Sequence, residues 1–295
     1  MYSYAERHLK EYSELHPELV SIRTSLRHPN LRVVKYKPKV FYKNLWTPEL
    51  MRMRGLVVDE DWNPIVRPFD KLFNHGELGA PRFDHGELVH AVRKINGFMG
   101  CLTRDHDHGL IISTTGSLDS PFVKLAEKHL LPVAERGLIT GVSYLFEIVD
   151  PSDPHIIEEE AGPYLIGCRT VCSMINLREC DLDVISRGLG VKRPEWQTLY
   201  FGELLDQVRS VQHEGFMVHN FAYECSVKLK SPHYLTKKLF MRIKGEKLTA
   251  EWFKQNRNNF DEEYYPLIGA IQEDLSFPHL DQTGRREWIE RFLSR

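Results

Sequence analysis

Between about residue 16 and about residue 230 the chain alternates short apolar runs with polar turn clusters, a rhythm that strands set and long helices do not. Leu31–Tyr36, Gly55–Val58, Ile65-Val66, Leu88–Val92, Gly97–Thr103, Leu110–Thr115, Ser143–Val149, Gly215–His219 and Cys225–Leu229 are rich in β-branched or large apolar residues and read as strands. Asp59–Pro64 and Arg104–Gly109 separate neighbouring runs and predict hairpins. The clearest break in the rhythm is Pro121–Leu131, where Phe122, Leu125, Ala126, His129 and Leu130 fall at helical spacing; Pro132 should end or kink that helix. Residues 3–15 predict a short opening helix. After about 240 the texture changes, and Lys247–Phe260, Glu262–Leu275 and Gly284–Leu293 read as helices. The expected fold class is α+β: a body of antiparallel sheets over 1–244 and a small helical C-terminal domain over 245–295.

Composition bounds the partners. The 295 residues are enough to bury a substantial core. Lys+Arg 39 against Asp+Glu 41 leaves a formal net charge of −2, which rules out a histone-like positive coat but leaves room for a local basic groove. Hydrophobic residues at 42% and charged residues at 27% are ordinary for a globular chain and argue against global disorder. No apolar run approaches the ~20 residues of a membrane span. The start, Met1 to His8, is polar and lacks an apolar signal core. Five cysteines without a Cys-x-x-Cys pair read as reduced thiols. Together these features predict a cytoplasmic protein with no membrane partner.

The sharpest local feature is Lys94-Ile95-Asn96-Gly97, between two predicted strands. A lysine leaving a strand at a cleft floor is a nucleophile once deprotonated, and burial or a nearby cation favours that form. Alone, Lys-x-[Asp/Asn]-Gly arises by chance in roughly one chain of this size in ten, and a solvated lysine before a tight turn explains it as well. Downstream, Ser143–Val149 carries Glu147 inside an apolar strand. A carboxylate there needs a hydroxyl or cation as partner, unless the strand is an edge and Glu147 faces water. Glu214-Gly215 follows, then Ser226-Val227-Lys228-Leu229-Lys230. Lys228 and Lys230 share one strand face, where a polyphosphate would satisfy two neighbouring cations; a solvated hairpin face would serve equally.

This order resembles the covalent nucleotidyltransferase superfamily of ATP-dependent ligases and capping enzymes, over roughly residues 50–232. Met53-Arg54-Gly55 and Arg67-Pro68-Phe69-Asp70-Lys71-Leu72-Phe73-Asn74, ahead of Lys94, are similar to the leader of the phage RNA ligase 1 family. Thr115-Gly116-Ser117 sits where that family has a Gly-Ser segment. Three positions depart from the pattern: Asn96 stands for the aspartate usual in DNA ligases, Leu72 for Phe, and Thr115 for a basic residue. The tail is also much shorter than the helical domain of the best-known relatives.

The resemblance implies a nucleotidyltransferase domain whose antiparallel sheets surround an ATP cleft. It implies that Lys94 attacks the α-phosphate of ATP to form lysyl-AMP, that AMP then passes to a 5′-phosphate RNA end, and that a 3′-hydroxyl end finally displaces AMP and seals the bond. Lys228 and Lys230 would neutralise charge on the α-phosphate and pyrophosphate. Arg54 and Lys71 would contact phosphates, and Asn96 and Gly97 would shape the turn beside adenosine. Ser117 joins this nucleotide-binding set. Glu147 would bind the ribose. Glu214 would place a magnesium ion, directly or through water, with Glu147 as the weaker candidate and manganese able to substitute. Phe73 would stack on the nucleotide or pack in the core.

The implied partner is RNA with 5′-phosphate and 3′-hydroxyl ends, in RNA repair. An end-healing kinase/phosphatase is a further expected partner, and a monomer is expected. Within the superfamily the rivals are a DNA ligase and a capping guanylyltransferase, which usually carry an OB-fold after the Lys-x-Lys strand. The helical residues after Lys230 disfavour both. A non-catalytic RNA-end-binding subunit is the alternative from another class. Asp105-His106-Asp107-His108 reads as a hairpin tip more readily than as a metal site.

Overall fold

The structure is a computed structural model that describes residues 4–172, 175–243 and 245–294. By backbone contacts the chain forms two compact units interleaved in sequence. Unit 1 takes Met1–Lys71, Gly97–Pro154 and Glu159–Pro194; unit 2 takes Leu72–Asn96, His155–Glu158 and Glu195–Arg295.

Unit 1 begins with α1 (Tyr4–Leu15), β1 (Val20–Thr24), β2 (Arg32–Tyr36), α2 (Pro38–Tyr42), α3 (Pro48–Arg52), β3 (Arg54–Val58) and β4 (Pro64–Val66). The four strands form an antiparallel sheet in the order β1-β2-β3-β4. Strand β5 (Leu88–Arg93) belongs to unit 2. Unit 1 resumes with β6 (Phe98–Asp105), β7 (Gly109–Thr114), α4 (Pro121–Ala134), β8 (Val142–Val149), β9 (Gly162–Thr170) and α5 (Glu179–Leu189). Its second sheet runs β7-β6-β8-β9, again antiparallel.

Period-2 alternation explains why both faces of these sheets are covered. Val33, Val57, Cys101, Ile111 and Leu145 point into one core shared by the two sheets. Their neighbours Leu102, Ile112, Phe146 and Ile148 point the other way, onto α4 and α5. Helix α4 runs through Pro132 to Ala134 rather than ending before it. A proline so near the end costs one hydrogen bond, and burial of Leu130, Val133 and Ala134 offsets that loss.

Unit 2 adds β10 (Trp196–Tyr200), α6 (Phe201–Val208), β11 (Gly215–Asn220), β12 (Ser226–Lys230) and α7 (Pro232–Arg242). Its sheet runs β10-β5-β11-β12, all antiparallel. Val89, Ala91, Phe216, Val218, Val227 and Leu229 pack on α6 from one face. The tail holds α8 (Ala250–Gln255), α9 (Tyr265–Glu273) and α10 (Gln282–Leu293), joined by short 3₁₀ turns. Its core of Phe253, Phe260, Tyr264, Ile268, Phe277 and Ile289 takes in Leu239 from α7 and Ile243 just beyond it, so tail and α7 share one apolar cluster. No described helix is long and apolar enough to cross a membrane.

Candidate active site

Three adjacent strands of unit 2 bring the sequence-predicted groups to one end of the sheet. Lys94 follows directly on β5, and its N–H donates to the carbonyl of Gly215 at the start of β11 (2.9 Å). Gly215 in turn pairs with Lys230 at the end of β12. By register Val92, Met217 and Lys228 share a face, and Gly215 and Lys230 continue it one pair further on. Two devices hold this end. Ser231 is fully buried; its N–H donates to Glu214 O (2.9 Å) and its hydroxyl to His213 O (2.6 Å). The same hydroxyl caps α7 by accepting from Tyr234 N (3.1 Å). Gly215 has φ +129°, and a Cβ there would lie 2.1 Å from Leu229 O, so no side chain fits between the strands.

The Lys94 ammonium donates to Glu214 Oε2 at 2.9 Å. Asn96 Nδ2 donates to the same oxygen at 2.7 Å, and Asn96 Oδ1 accepts from Ile157 N at 2.9 Å. Glu214 is 3% exposed and Asn96 6%. The amide thus bridges a buried carboxylate and a backbone N–H, a role that needs both donor and acceptor. An aspartate at 96 would set two carboxylates against each other. Within the unit, the segment after Leu72 lies along β12: Lys228 N donates to Phe73 O (2.9 Å) and His75 N to Lys228 O (2.8 Å). The Phe73 ring is 5% exposed and lies against Gly79. Lys230 binds Glu263 of the tail at 2.6 Å.

Unit 1 carries the remaining candidates. Gly97 opens it, and its N–H donates to Glu147 Oε1 at 3.1 Å. Gly97 needs no left-handed φ; a Cβ there would lie 2.3 Å from Ile148 O, so glycine serves the close approach to β8. Strand β8 lies between β6 and β9, which removes the edge-strand reading of Glu147. Arg54 opens β3 and reaches Phe69 O at 3.5 Å. Its charge opposes, without cancelling, the burial that raises the pKa of Tyr36 and pushes the Cys101 thiol up to about 12. Lys71 is 9% exposed, with Nζ 5.1 Å from the Trp46 ring centroid and 5.9 Å from that of Phe41. The Ser117 hydroxyl accepts from Asp119 N and Ser120 N, both at 2.9 Å, and so shapes the turn into α4.

Two residues in this machinery escaped the sequence reading. Arg169 pins the Arg-Pro-x-x-Lys segment by donating to Pro68 O (2.7 Å) and Asp70 Oδ1 (2.8 Å). A lone cation at the end of an apolar run was its signal, as a lone carboxylate was for Glu147. Glu263, in the acidic run Asp261-Glu262-Glu263, gave none. His106 and Asp107 are exposed at the β6–β7 tip, where Asp105 accepts from the backbone of Asp107 and His108. Among the described residues no three His, Cys, Asp or Glu gather as a metal cluster.

The backbone is similar over 97% of this chain to an archaeal ATP-dependent RNA ligase, covering 77% of that chain, with TM-score 0.60 and 13% identity. A protein of Aquifex aeolicus named as an ATP-dependent DNA ligase matches 98% of this chain and 76% of its own, with TM-score 0.58 and 10% identity. The fold is that of the ATP-dependent nucleotidyltransferase ligases. In sequence, this ligase-fold chain is 29% identical over 151 residues to RNA ligase 1 of bacteriophage TS2126. That match covers 42% of this chain and 37% of the phage protein, so the chain spans little more than a third of the curated relative. No family model matches the ligase-fold chain.

Proposed function

We propose that the chain is an ATP-dependent RNA ligase that joins 5′-phosphate and 3′-hydroxyl RNA ends. The observation that carries this reading is the Lys94–Glu214–Asn96 cluster at one end of a sheet that also presents Lys228 and Lys230. The RNA ligase name of the phage relative supports RNA over DNA, since the fold is common to both kinds of ligase.

In the first step the Lys94 amine attacks the α-phosphorus of ATP. A P–N bond forms, the bond from that phosphorus to the bridging oxygen breaks, and pyrophosphate leaves. An ammonium pressed against Glu214 must first lose a proton, and Glu214 is the base within hydrogen-bond reach. Lys228 and Lys230 balance charge that grows on the phosphates. Next, a 5′-phosphate oxygen of RNA attacks the same phosphorus and frees Lys94. A 3′-hydroxyl then attacks the 5′-phosphate and AMP leaves. Glu147 holds the ribose, Arg54 and Lys71 serve the phosphates, and Ser117 belongs to the nucleotide-binding set. Among the described residues no acidic cage accompanies the buried Glu214, and a magnesium ion that keeps most of its waters would suit it, with manganese able to substitute. Bound at Glu214, the ion would supply positive charge beside the phosphate.

We propose also that residues 1–244 carry the nucleotidyl-transfer groups and 245–295 form the helical tail. The protein would be a cytoplasmic monomer in RNA repair, accepting ends prepared by a separate kinase/phosphatase.

The experiment is incubation with [α-³²P]ATP or [α-³²P]GTP and magnesium, followed by 5′-phosphorylated RNA or DNA strands. Label on the protein with ATP alone, then a joined RNA product, is the expected result. Label from GTP alone would move the reading to capping, and joining of DNA but not RNA would move it to DNA ligation.

A further inference from the structure

Lys230 is held by a partner from the helical tail. Its Nζ lies 2.6 Å from Glu263 Oε2, and the two side chains are 13% and 5% exposed. The other carboxylate oxygen, Glu263 Oε1, lies 2.6 Å from Lys238 Nζ, which also reaches Asp261 Oδ2 at 2.5 Å. Tyr234 flanks both ammonium groups, 5.4 Å from Lys230 and 5.8 Å from Lys238. Lys230, Lys238 and Glu263 are thus mostly buried with opposite charges paired, the condition under which buried charge is tolerated, and Asp261 lies at the wetter edge of the cluster. The cluster is asymmetric. Among the described residues Lys238 meets two carboxylates, whereas Lys230 meets Glu263.

The location adds the second half of the argument. Lys230 is the last residue of β12, opposite Gly215 and beside the Lys94–Glu214 pair. A lysine stem has four rotatable bonds, and an ammonium that must meet growing charge on a phosphate gains from being fixed beforehand. Bonding one of its three N–H groups to a buried carboxylate fixes the stem and leaves two for an anion.

We propose that Glu263 is a positioning residue for Lys230, so that the helical tail takes part in phosphate handling and is not only an RNA-gripping or docking appendage. This rests on the ligase reading of Lys230. A cluster that merely riveted α7 to the tail would set stability, and would leave the rate of a folded variant unchanged.

The test is single-turnover adenylation against ATP concentration for wild type, Glu263→Gln and Asp261→Asn, with thermal melts of each. Asp261→Asn removes a carboxylate from the same cluster without touching the Lys230–Glu263 pair. Glu263→Gln is expected to slow adenylation about tenfold or more, with the apparent KM for ATP within about threefold. Asp261→Asn should stay near the wild-type rate. Should Glu263→Gln not fold, Lys238→Met/Glu263→Gln removes one cation with the anion, keeps the charge balanced, and should show the same slow step. A folded Glu263→Gln or double variant that adenylates at the wild-type rate overturns the proposal, as does Asp261→Asn losing as much as Glu263→Gln. Wild-type protein that takes no label under any condition defeats the ligase reading and this proposal with it.

Discussion

Asn96 links the carboxylate that holds Lys94 to the backbone, and its amide does what neither a carboxylate nor an aliphatic group can. It donates to Glu214 and accepts from Ile157 at once, both inside hydrogen-bond range and out of water. Asn96→Asp should therefore slow adenylation by about tenfold or more, because two carboxylates would crowd one oxygen position 2.7 Å away. Unchanged single-turnover rates would show that the amide is incidental. Gly97, the next residue, sits where a methyl group would meet Ile148 O at 2.3 Å. Gly97→Ala must push β8 away and break the Gly97–Glu147 hydrogen bond. The expected outcome is a loss of at least about 2 kcal/mol in denaturant stability. At this scale the sequence singled out Lys94, Asn96 and Glu214, and the structure brings these three side chains together. It was silent where a charge found its partner far along the chain. Nothing near Lys230 announces Glu263, 33 residues on.

The hairpin of β11 and β12 is the element on which the proposed chemistry depends. It carries a titrating group of its own. His219, on β11, pairs through Nδ1 with Ser226 Oγ at 2.6 Å, and burial together with neighbouring His90 pushes its pKa down to about 4. An unfolded histidine titrates near ~6.5, so between these values the unfolded chain binds more protons than the folded one. Stability from this group is complete above about pH 6.5, falls as the pH drops toward 4, and changes no further below that. Urea midpoints across that window should fall with acid in the wild type and fall less steeply in His219→Gln. Equal slopes would remove His219 from the account. Both strands of this hairpin were visible in the sequence as short β-rich runs, as were the β6–β7 hairpin and helix α4. Strands β1, β9 and β10 were not. Pro163, Gly167 and Arg169 interrupt the apolar pattern of β9, and Trp196–Tyr200 alternates polar with aromatic side chains so weakly that only its pairing with β5 makes it a strand.

The candidate residues fall in two units interleaved in sequence, a division no composition shift marks, because the chain crosses between them inside the Lys94–Gly97 motif itself. The change of texture near 240 was legible, yet the apolar cluster of the tail reaches back to Leu239 and Ile243. Cutting the chain after residue 244 would uncover that cluster and strip Lys230 and Lys238 of the two carboxylates that hold them. The shortened protein is expected to aggregate or melt well below the full chain, as thermal scans would show. A soluble, active 1–244 fragment would make the tail an independent appendage.

The central claim is that Lys94 becomes covalently bonded to AMP. Intact-mass spectrometry of the purified protein after incubation with ATP and magnesium tests it most directly. The prediction is a single adduct equal to one AMP less water, acid-labile as a P–N bond is, reversed by added pyrophosphate, and absent from a folded Lys94→Ala variant. The same adduct on Lys94→Ala, or none on a wild-type protein that enters the assay free of AMP, would contradict it.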